Sequence, residues 1–377
     1  MFKLLSSMIL SLLIVIPTTA ISSEQVVHSE SPLVVDLKST TSLSDLLATL
    51  SQERVVYVTE THLEYTDHLM QLEIIKGLYQ QNPDLVIGVE WFQQPYQQHL
   101  DQFIAGKISE TELLKRTKYF NRWRFDWRLY RPIIQFAAKN SIPLIALNAS
   151  KELTDAIKKS GINGLNKEMK AQLPQSYDFS NKKYQALLKT IFTTHPGPKN
   201  EKDFQRFMEI QLTWDESMAE KISSQLKQHQ NQRMVVLAGR GHIESRFGIP
   251  DRVEKATGIK GKVILVGQHE VSNRNAADYI LFAKRKQLPA AGLIGAMLDT
   301  KGKMIKITAF SKKSNAPKAG VKKGDAIVQI DEHAIDNYVA LKLALMGKSP
   351  GETIKLGIER DGKRHSFTIK LVTRSMH

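Results

Sequence analysis

Short, uninterrupted apolar runs alternate with longer segments of mixed polarity along the chain as far as residue 266. The runs cover four or five residues each, at 55–58, 85–89, 144–147, 234–238 and 263–266. Segments between them, such as 68–79 and 127–139, repeat their apolar residues at helical spacing. Continuous apolar strands separated by helices are typical of a parallel sheet whose two faces are both covered. The pattern therefore predicts an α/β domain with a parallel sheet flanked by helices.

The pattern changes twice along the chain. Residues 151–230 contain no strand candidate, so we expect a mostly helical insertion there, broken at Pro174 and at 195–198. From about residue 288 the elements are short and β-like, apart from one helical segment at about 336–345. We therefore expect an α/β domain at 46–285, which contains the insertion, and a small α+β domain at 286–377.

The N-terminal residues are typical of an export signal. Lys3 precedes an apolar stretch at 4–16, and the small residues of 17–20 follow it. Because this stretch is too short to span a bilayer comfortably, we predict a cleaved signal peptide at 1–20, followed by a polar linker at 21–45. An uncleaved anchor is the alternative. The expected location is the periplasm or the outside of the cell.

Composition narrows the classes of function. The chain has no cysteine, which excludes thiolate metal sites, a catalytic cysteine, disulfide bonds and a lipid-bearing cysteine, so we do not expect a lipoprotein. The formal net charge of +15 favours anionic partners, such as lipid headgroups, nucleic acid or a porphyrin with propionate groups. A solvated basic surface is the simpler interpretation. No nucleic-acid-binding module is recognisable, and export also argues against such a partner.

Polar residues stand where four of the apolar runs end. Glu60 and His62 follow the first run, Glu90 the second, Asn148 the third and His242 the fourth. The carboxyl ends of parallel strands meet at one edge of a sheet, where ligands bind. A single buried histidine is more often a satisfied structural group than a ligand. The combination of two carboxylates, two histidines and an amide at one edge favours a site.

Three further polar residues accompany predicted helices. Gln211 and Asp215 lie on or beside an apolar stripe at helical spacing, where polar groups need partners. They could hold a histidine of the site through a hydrogen bond, or bond locally to another helix. His68 shares a helix face with Gln71 and could join the site or only cap it.

These residues suit two chemistries. Glutamate and histidine can bind a divalent metal and activate water, whereas a cleft with a few polar groups and many aromatics can hold haem. The segment 119–130 is rich in aromatics and arginine. It could line the haem cleft, bind the propionate groups and supply a tyrosine ligand. Alternatively, it could pack its aromatics into the core. No His-Glu-x-x-His motif, phosphate-binding loop, complete dinucleotide fingerprint or Gly-x-Ser-x-Gly turn is present.

Five segments, in chain order, resemble the successive blocks of ChaN-like haem-binding proteins of the Tiki/erythromycin-esterase-like superfamily: VVYVTETHLEYTDHLMQLEIIKGL, LVIGVEWFQQPYQQHLDQFIAG, WRLYRPIIQFAAKNSIPLIALNA, FMEIQLTWDESMAEKI and VVLAGRGHIESRFGIPDRV. The resemblance implies haem binding linked to iron uptake, with relatives that include metal-dependent hydrolases. The family's Gly-Glu-x-His block falls on Thr59 to His62, so threonine replaces its glycine, and its Gly-His block falls on Gly241 and His242. The resemblance also implies a tyrosine ligand and haems sandwiched in a homodimer, but no motif places that tyrosine.

Three segments near the C-terminus, AAGLIGAML, APKAGVKKGDAIVQIDEHAID and GETIKLGIERDGK, resemble a PDZ domain. Such a domain adds a peptide strand to its sheet edge while loop amides hold the terminal carboxylate. The resemblance assigns peptide binding to Gly292, Leu293, Ile294 and Gly295. Glu332 replaces the usual glycine of a surface turn.

The sequence supports three hypotheses of function. The first is a periplasmic haem-binding protein, rather than an enzyme, whose PDZ domain recruits an envelope protein by its C-terminal peptide. The second is a metal-dependent hydrolase or peptidase that uses Glu60, His62, Glu90 and His242, and the third is a non-catalytic scaffold. The predicted cofactor-binding residues are Glu60, His62, His68, Glu90, Asn148, Gln211, Asp215 and His242.

Overall fold

The computed structural model describes residues 41–194, 200–267 and 276–373. The predicted signal peptide, most of the predicted linker and the predicted helix break at 195–198 lie outside these residues. Across the described ranges, no helix is both long and apolar enough to cross a membrane.

Each of the five apolar runs forms a strand of one parallel sheet. In the described residues this sheet has six strands: β1 Val55–Glu60, β2 Leu85–Gln93, β3 Leu144–Asn148, β4 Arg233–Gly239, β5 Lys262–Val266 and β6 Tyr279–Leu281. Their order across the sheet is β3-β2-β4-β1-β5-β6, and all neighbours are parallel. The sequence pattern did not predict β6, a short edge strand whose three residues are apolar but only half-buried.

Helices cover both faces of this sheet. They are α1 Leu43–Leu50, α2 Tyr65–Gln81, α3 Gln97–Ile104, α4 Glu110–Arg116, α5 Tyr119–Arg122, α6 Trp127–Lys139, α7 Lys151–Ser160, α8 Lys167–Lys170, α9 Lys182–Thr194, α10 Glu201–Gln228, α11 Arg240–Ile243 and α12 Ile249–Thr257. Because side chains alternate along a strand, Val56 and Val58 of β1 enter the core beneath α2 and α6. Val55 and Tyr57 enter the core beneath α10 and α12. Both faces of the sheet are therefore buried.

Helices α7 to α10 form the predicted helical insertion between β3 and β4. The longest of them, α10, has 28 residues and begins at the cap residue Asn200, whose side chain accepts the Asp203 backbone N–H. At 1.5 Å per residue, this helix extends for about 42 Å. Its length brings residues of the insertion back to the carboxyl edge of the sheet.

A second, antiparallel sheet forms the C-terminal part of the chain. Its strands are β7 Ala296–Asp299, β8 Ile305–Phe310, β9 Ala326–Ile330, β10 His333–Ala334, β11 Thr353–Arg360 and β12 Lys363–Lys370, and its helix is α13 Tyr338–Ala344. The strand order is β12-β11-β9-β8-β7, with β10 beside β9. The predicted fold class is confirmed: a parallel α/β domain with a helical insertion, followed by a small α+β domain.

Candidate functional site

Strands β2, β4 and β1 are neighbours, so their carboxyl ends bring the predicted polar residues together. Glu60 ends β1, Glu90 lies near the end of β2, and β4 leads directly into α11 with His242. The four side chains of Glu60, His62, Glu90 and His242 are called the rim below. Glu60, Glu90 and His242 are buried, whereas 32% of the His62 side chain is exposed. The rim is therefore a buried polar cluster that reaches solvent through one imidazole.

Glu60 is the centre of the first half of the rim. Its Oε1 lies 2.7 Å from Nδ1 of His62 and accepts the Tyr130 hydroxyl at 3.2 Å. Its Oε2 accepts the Gln71 amide at 3.4 Å and lies 3.3 Å from Nδ1 of His68. An ionised carboxylate can only accept, so the proton of His62 sits on Nδ1. Nε2 of His62 is left without a partner among the described residues and can act as a ligand or base.

Aromatic rings hold the imidazole of His62 at the surface. The ring centroids of Trp123 and Phe125 lie 5.0 Å and 4.7 Å from that of His62. Both aromatics are half-buried, and the neighbouring Leu63 is 71% exposed. Burial lowers the pKa of His62, but the hydrogen bond to Glu60 and the charge of Glu90 outweigh it, so the net effect is a raised pKa. An apolar surface thus surrounds Nε2 of His62.

His242 is the centre of the second half of the rim. Its Nδ1 lies 2.6 Å from Oδ1 of Asp215, and the amide group of Gln211 lies 3.1 Å from the same nitrogen. Its Nε2 lies 3.4 Å from Glu90. Tyr184 donates its hydroxyl to the other oxygen of Asp215. Helix α10 therefore holds a rim histidine through Asp215, with Gln211 beside the same nitrogen.

Charge pairing keeps His242 protonated and Glu90 ionised. Burial alone would lower the pKa of His242, but Glu90 and Asp215 raise it to about 10. Burial alone would raise the pKa of Glu90, whereas the charge and hydrogen bond of His242 and the Gly239 N–H lower it to about 2. Both nitrogens of His242 face carboxylates. Consequently, His242 is a fixed cation, and His62 is the rim histidine with a free nitrogen.

Gly239, the last residue of β4, lets the two halves of the rim approach each other. A Cβ atom at this position would lie 2.9 Å from Cε1 of His62 and 3.4 Å from Oε2 of Glu90. Its backbone N–H donates to the same Glu90 oxygen at 2.6 Å. By contrast, Thr59 stands where the family has a glycine, and its hydroxyl accepts the Val266 N–H at 3.1 Å. The position at which the backbone closely approaches the rim side chains is thus Gly239 on β4, not Thr59 on β1.

The remaining predicted residues occupy different positions around the rim. His68 lies against Glu60 and donates from Nε2 to the His62 carbonyl at 3.2 Å. Asn148 is buried at the end of β3, and its side-chain oxygen has no hydrogen-bond partner in the described part of the chain. Sequence reasoning missed Tyr130 and Tyr184 as partners of the rim carboxylates. Their only sequence signal was an apolar, helical environment, which also predicts core residues.

The described residues contain no group of three or more histidine, aspartate and glutamate side chains arranged to hold a metal ion. The rim carboxylates are instead paired with histidines. The divalent-metal alternative of the sequence analysis therefore has no support from the geometry.

The predicted peptide-binding loop divides into two pairs of residues. The N–H groups of Gly292 and Leu293 already donate to the carbonyls of Lys348 and Val372, at 2.8 Å and 2.9 Å. The N–H groups of Ile294 and Gly295 have no acceptor among the described residues. Two of the four predicted residues therefore retain amides that could hold a carboxylate.

Comparison with known proteins identifies both parts of the chain. The family described as "Haem-binding uptake, Tiki superfamily, ChaN" matches residues 46–253, and the PDZ domain family matches residues 292–371. The solved structure described as "Cofacial heme binding to ChaN of Campylobacter jejuni" has a TM-score of 0.50 and 20% sequence identity, and the likeness covers 64% of this chain and 91% of that chain. At this identity, the likeness shows the fold alone.

Two curated relatives are proteases with PDZ homology. "Probable periplasmic serine endoprotease DegP-like" of Bartonella henselae is 37% identical over 59 residues, which are 16% of this chain and 12% of that protein. "Probable CtpA-like serine protease" of Staphylococcus saprophyticus is 37% identical over 79 residues, which are 20% of this chain and 16% of that protein. The chain thus spans less than a fifth of either relative. Because the haem-binding uptake family matches more than half of the chain, this protein belongs to the ChaN family of the Tiki superfamily, with a PDZ domain after the family domain.

Proposed function

We propose that this protein is a periplasmic haem-binding protein linked to iron or haem uptake, with a PDZ domain that recruits an envelope protein by its C-terminal peptide. One observation carries the haem assignment. The His62 side chain is 32% exposed in an aromatic surface, its Nδ1 is bound to Glu60, and its Nε2 has no partner in the part of the chain that the structure describes. A histidine whose second nitrogen is held by a carboxylate is a common iron ligand, because the partner fixes the ring and increases its basicity.

The surface around His62 fits a flat, apolar ligand with acidic groups. Leu63, Trp123 and Phe125 supply apolar contacts, and Arg124 projects from the same turn with a left-handed φ of 72°. Arg124 is exposed and forms no ion pair with a described residue, so it is available to a propionate. Bound haem would supply a redox-active iron and a visible absorption band. The chain itself supplies the nitrogen ligand, the apolar contacts and the cation.

Tyrosines of the aromatic segment are poor candidates for the iron ligand. Tyr119 and Tyr130 are buried, and burial together with the nearby Glu60 carboxylate raises the pKa of both far above the ordinary value. Each therefore stays a neutral phenol. Tyr65 is half-buried three residues after His62 and is the tyrosine to test beside it.

Hemin titration of the chain without residues 1–20 tests the proposal. We expect saturable binding with a shift of the Soret band, and we expect His62→Ala to weaken it at least about tenfold, which is 1.4 kcal/mol. His229→Ala is the matched control, since this exposed histidine follows α10 at the opposite edge of the sheet. If only Tyr65→Phe weakens binding, the ligand assignment is wrong. If neither variant has an effect, the assignment of haem to the rim is wrong.

Four further measurements test the alternatives and the remaining parts of the proposal. A stoichiometric divalent metal in the purified chain, without any hemin response, would favour the hydrolase. Light scattering with and without hemin tests whether haem binding produces a homodimer. Growth of a deletion strain on hemin as the iron source tests the link to uptake, and fractionation of the cell tests the periplasmic location.

A further inference from the structure

The outer edge of the C-terminal sheet is available to a peptide. In the described residues, β7 pairs with β8 on one side and with no strand on the other. The free amides of Ile294 and Gly295 directly precede β7, and Met297 on this strand is 66% exposed. An extended peptide can therefore add to β7 with its carboxylate at these amides.

The groove beside β7 has a second wall that comes from the α/β domain. A cavity of about 930 Å³ is bordered by the loop before β7, by α13 and by residues around the start of α6. The α/β residues that border it are Phe120, Asp126, Trp127 and Arg128. In this groove the backbone of a peptide would pair with the PDZ domain, whereas some of its side chains would face the α/β domain.

Direct contacts fix this second wall against the PDZ domain. Arg128 forms an ion pair with Asp126 and donates from Nη1 to the Pro289 carbonyl at 2.6 Å, just before the peptide-binding loop. On α13, Val339 and Leu343 pack against the core beneath α2 and α6. The described residues from Leu43 onwards belong to one compact unit. Direct contacts between the two domains therefore hold the second wall in place beside the groove.

The groove is rich in positive charge. Lysines at 312, 313, 342 and 348 border the cavity, and only Lys348 forms an ion pair with a described residue, Asp331. The ammonium of Lys342 lies 5.7 Å from the ring centroid of Phe120, so it stands between the two walls. The carboxylate of Asp126 is already paired with Arg128. The uncompensated charge of the groove is thus cationic.

We infer that the groove binds an acidic C-terminal peptide that contacts both the PDZ domain and the α/β segment 120–128. The partner class is a protein whose chain ends in an apolar residue preceded by aspartate or glutamate. Ile294, Leu341 and Leu345 supply apolar surface for the last side chain. The unpaired lysines supply the charge complementarity. This inference rests on the proposed peptide binding and adds its specificity and its second contact surface.

Fluorescence anisotropy with labelled peptides tests the charge preference. All peptides end in the same valine, and their preceding residues are acidic, neutral or basic. We expect the acidic peptide to bind on the order of fivefold more tightly than the neutral one at low salt, and high salt to reduce this difference. Amidation of the C-terminus should abolish binding. Equal binding of acidic and neutral peptides would overturn the inference, whereas no binding of any peptide would overturn the proposed peptide recruitment itself.

Matched lysine variants locate the charge. Lys312→Gln, Lys313→Gln and Lys342→Gln together should remove the preference for the acidic peptide, since these lysines border the groove. Lys301→Gln and Lys303→Gln should leave it unchanged, because these exposed lysines lie in the turn between β7 and β8, outside the groove. Loss of the preference in the control variant would show a general effect of net charge and would contradict the inference.

Photocrosslinking tests the second wall in the intact chain. A benzophenone amino acid replaces, one at a time, the peptide residues before the last, and the crosslinked chain is digested and analysed by mass spectrometry. We expect crosslinks to α13 and, from at least one position, to segment 120–128. Crosslinks confined to residues 286–373 would show that the α/β wall takes no part in recognition.

Discussion

Replacing Asp215 by alanine removes the buried partner of a buried cation. Asp215 is fully buried, lies 2.6 Å from Nδ1 of His242 and also accepts the Tyr184 hydroxyl. Breaking a buried ion pair by removing one partner costs about 3–5 kcal/mol, because the other charge is left uncompensated. The pKa of His242, about 10 in the folded protein against 6.5 for free histidine, is equivalent to roughly 5 kcal/mol. Glu90 supplies part of this stabilisation, so we expect Asp215→Ala to cost about 3 kcal/mol.

The cost of this substitution should depend on pH. The pKa of His242 is raised in the folded protein, so its contribution is complete below pH 6.5 and is lost as the pH rises through about 10. Urea unfolding of wild type and Asp215→Ala, followed by circular dichroism, should therefore give a difference in unfolding free energy that shrinks between pH 6.5 and pH 10. Asp215→Asn should cost roughly half as much, because its amide oxygen can still accept a hydrogen bond.

An exposed carboxylate on the same helix supplies the control. Glu220 is exposed and forms no ion pair with a described residue, so Glu220→Ala should change the unfolding free energy by less than about 0.5 kcal/mol. Two results would refute the reasoning. One is a cost of Asp215→Ala below about 1 kcal/mol at pH 6.5. The other is an equal cost across the alkaline range, since His242 would then not carry the charge that Asp215 compensates.

Two pairs of glycine variants test the rim and the groove separately. Gly239→Ala should push the His62 ring aside and weaken hemin binding about tenfold or more, whereas Gly241→Ala, whose Cβ meets nothing within 4 Å, should leave hemin binding unchanged in the same titration. Gly295→Ala should weaken peptide binding in the anisotropy assay and leave hemin binding intact, because Gly295 has a φ of 74° and its Cβ would lie 2.9 Å from Val372. Gly302→Ala, in the exposed turn after β7, should affect neither ligand. Equal effects within either pair would contradict the geometry.

Five of the six described strands of the first sheet could be predicted because they meet the same physical demand. A strand with helices on both faces must be apolar where its side chains enter the two cores. β1 is buried along its whole length and is apolar from Val55 to Val58, with polar residues only at its carboxyl end. The edge strand β6 escapes this demand, since its three residues are all half-buried. Local patterns thus predicted the elements that are buried on all sides and missed the one that is not.

The candidate site was predictable only in part. Strand ends could be predicted to meet at one edge, which placed Glu60, Glu90 and His242 together. The pairing of carboxylates with histidines could not be predicted, because it depends on where helices cross the edge. Tyr130 donates to Glu60 across 70 residues of chain, and Tyr184 to Asp215 across 31. No sequence pattern distinguishes a buried tyrosine that donates to a catalytic or ligand-holding carboxylate from one that only fills the core.

The aromatic segment 119–130 shows most clearly what composition leaves open. Its sequence allowed either a cofactor slot or core packing, and the structure divides the segment: Tyr119 and Trp127 are buried in the core, whereas Trp123 and Phe125 are half-buried and contact His62. Composition does not reveal which way each ring faces; the backbone does, through the left-handed φ of Arg124 between the two surface rings. The same segment borders the peptide groove on its other side. A ligand at the rim and a peptide in the groove would therefore contact one short stretch of chain. If the rim ligand changes the affinity for the peptide by some factor, linkage requires the peptide to change the affinity for the rim ligand by the same factor.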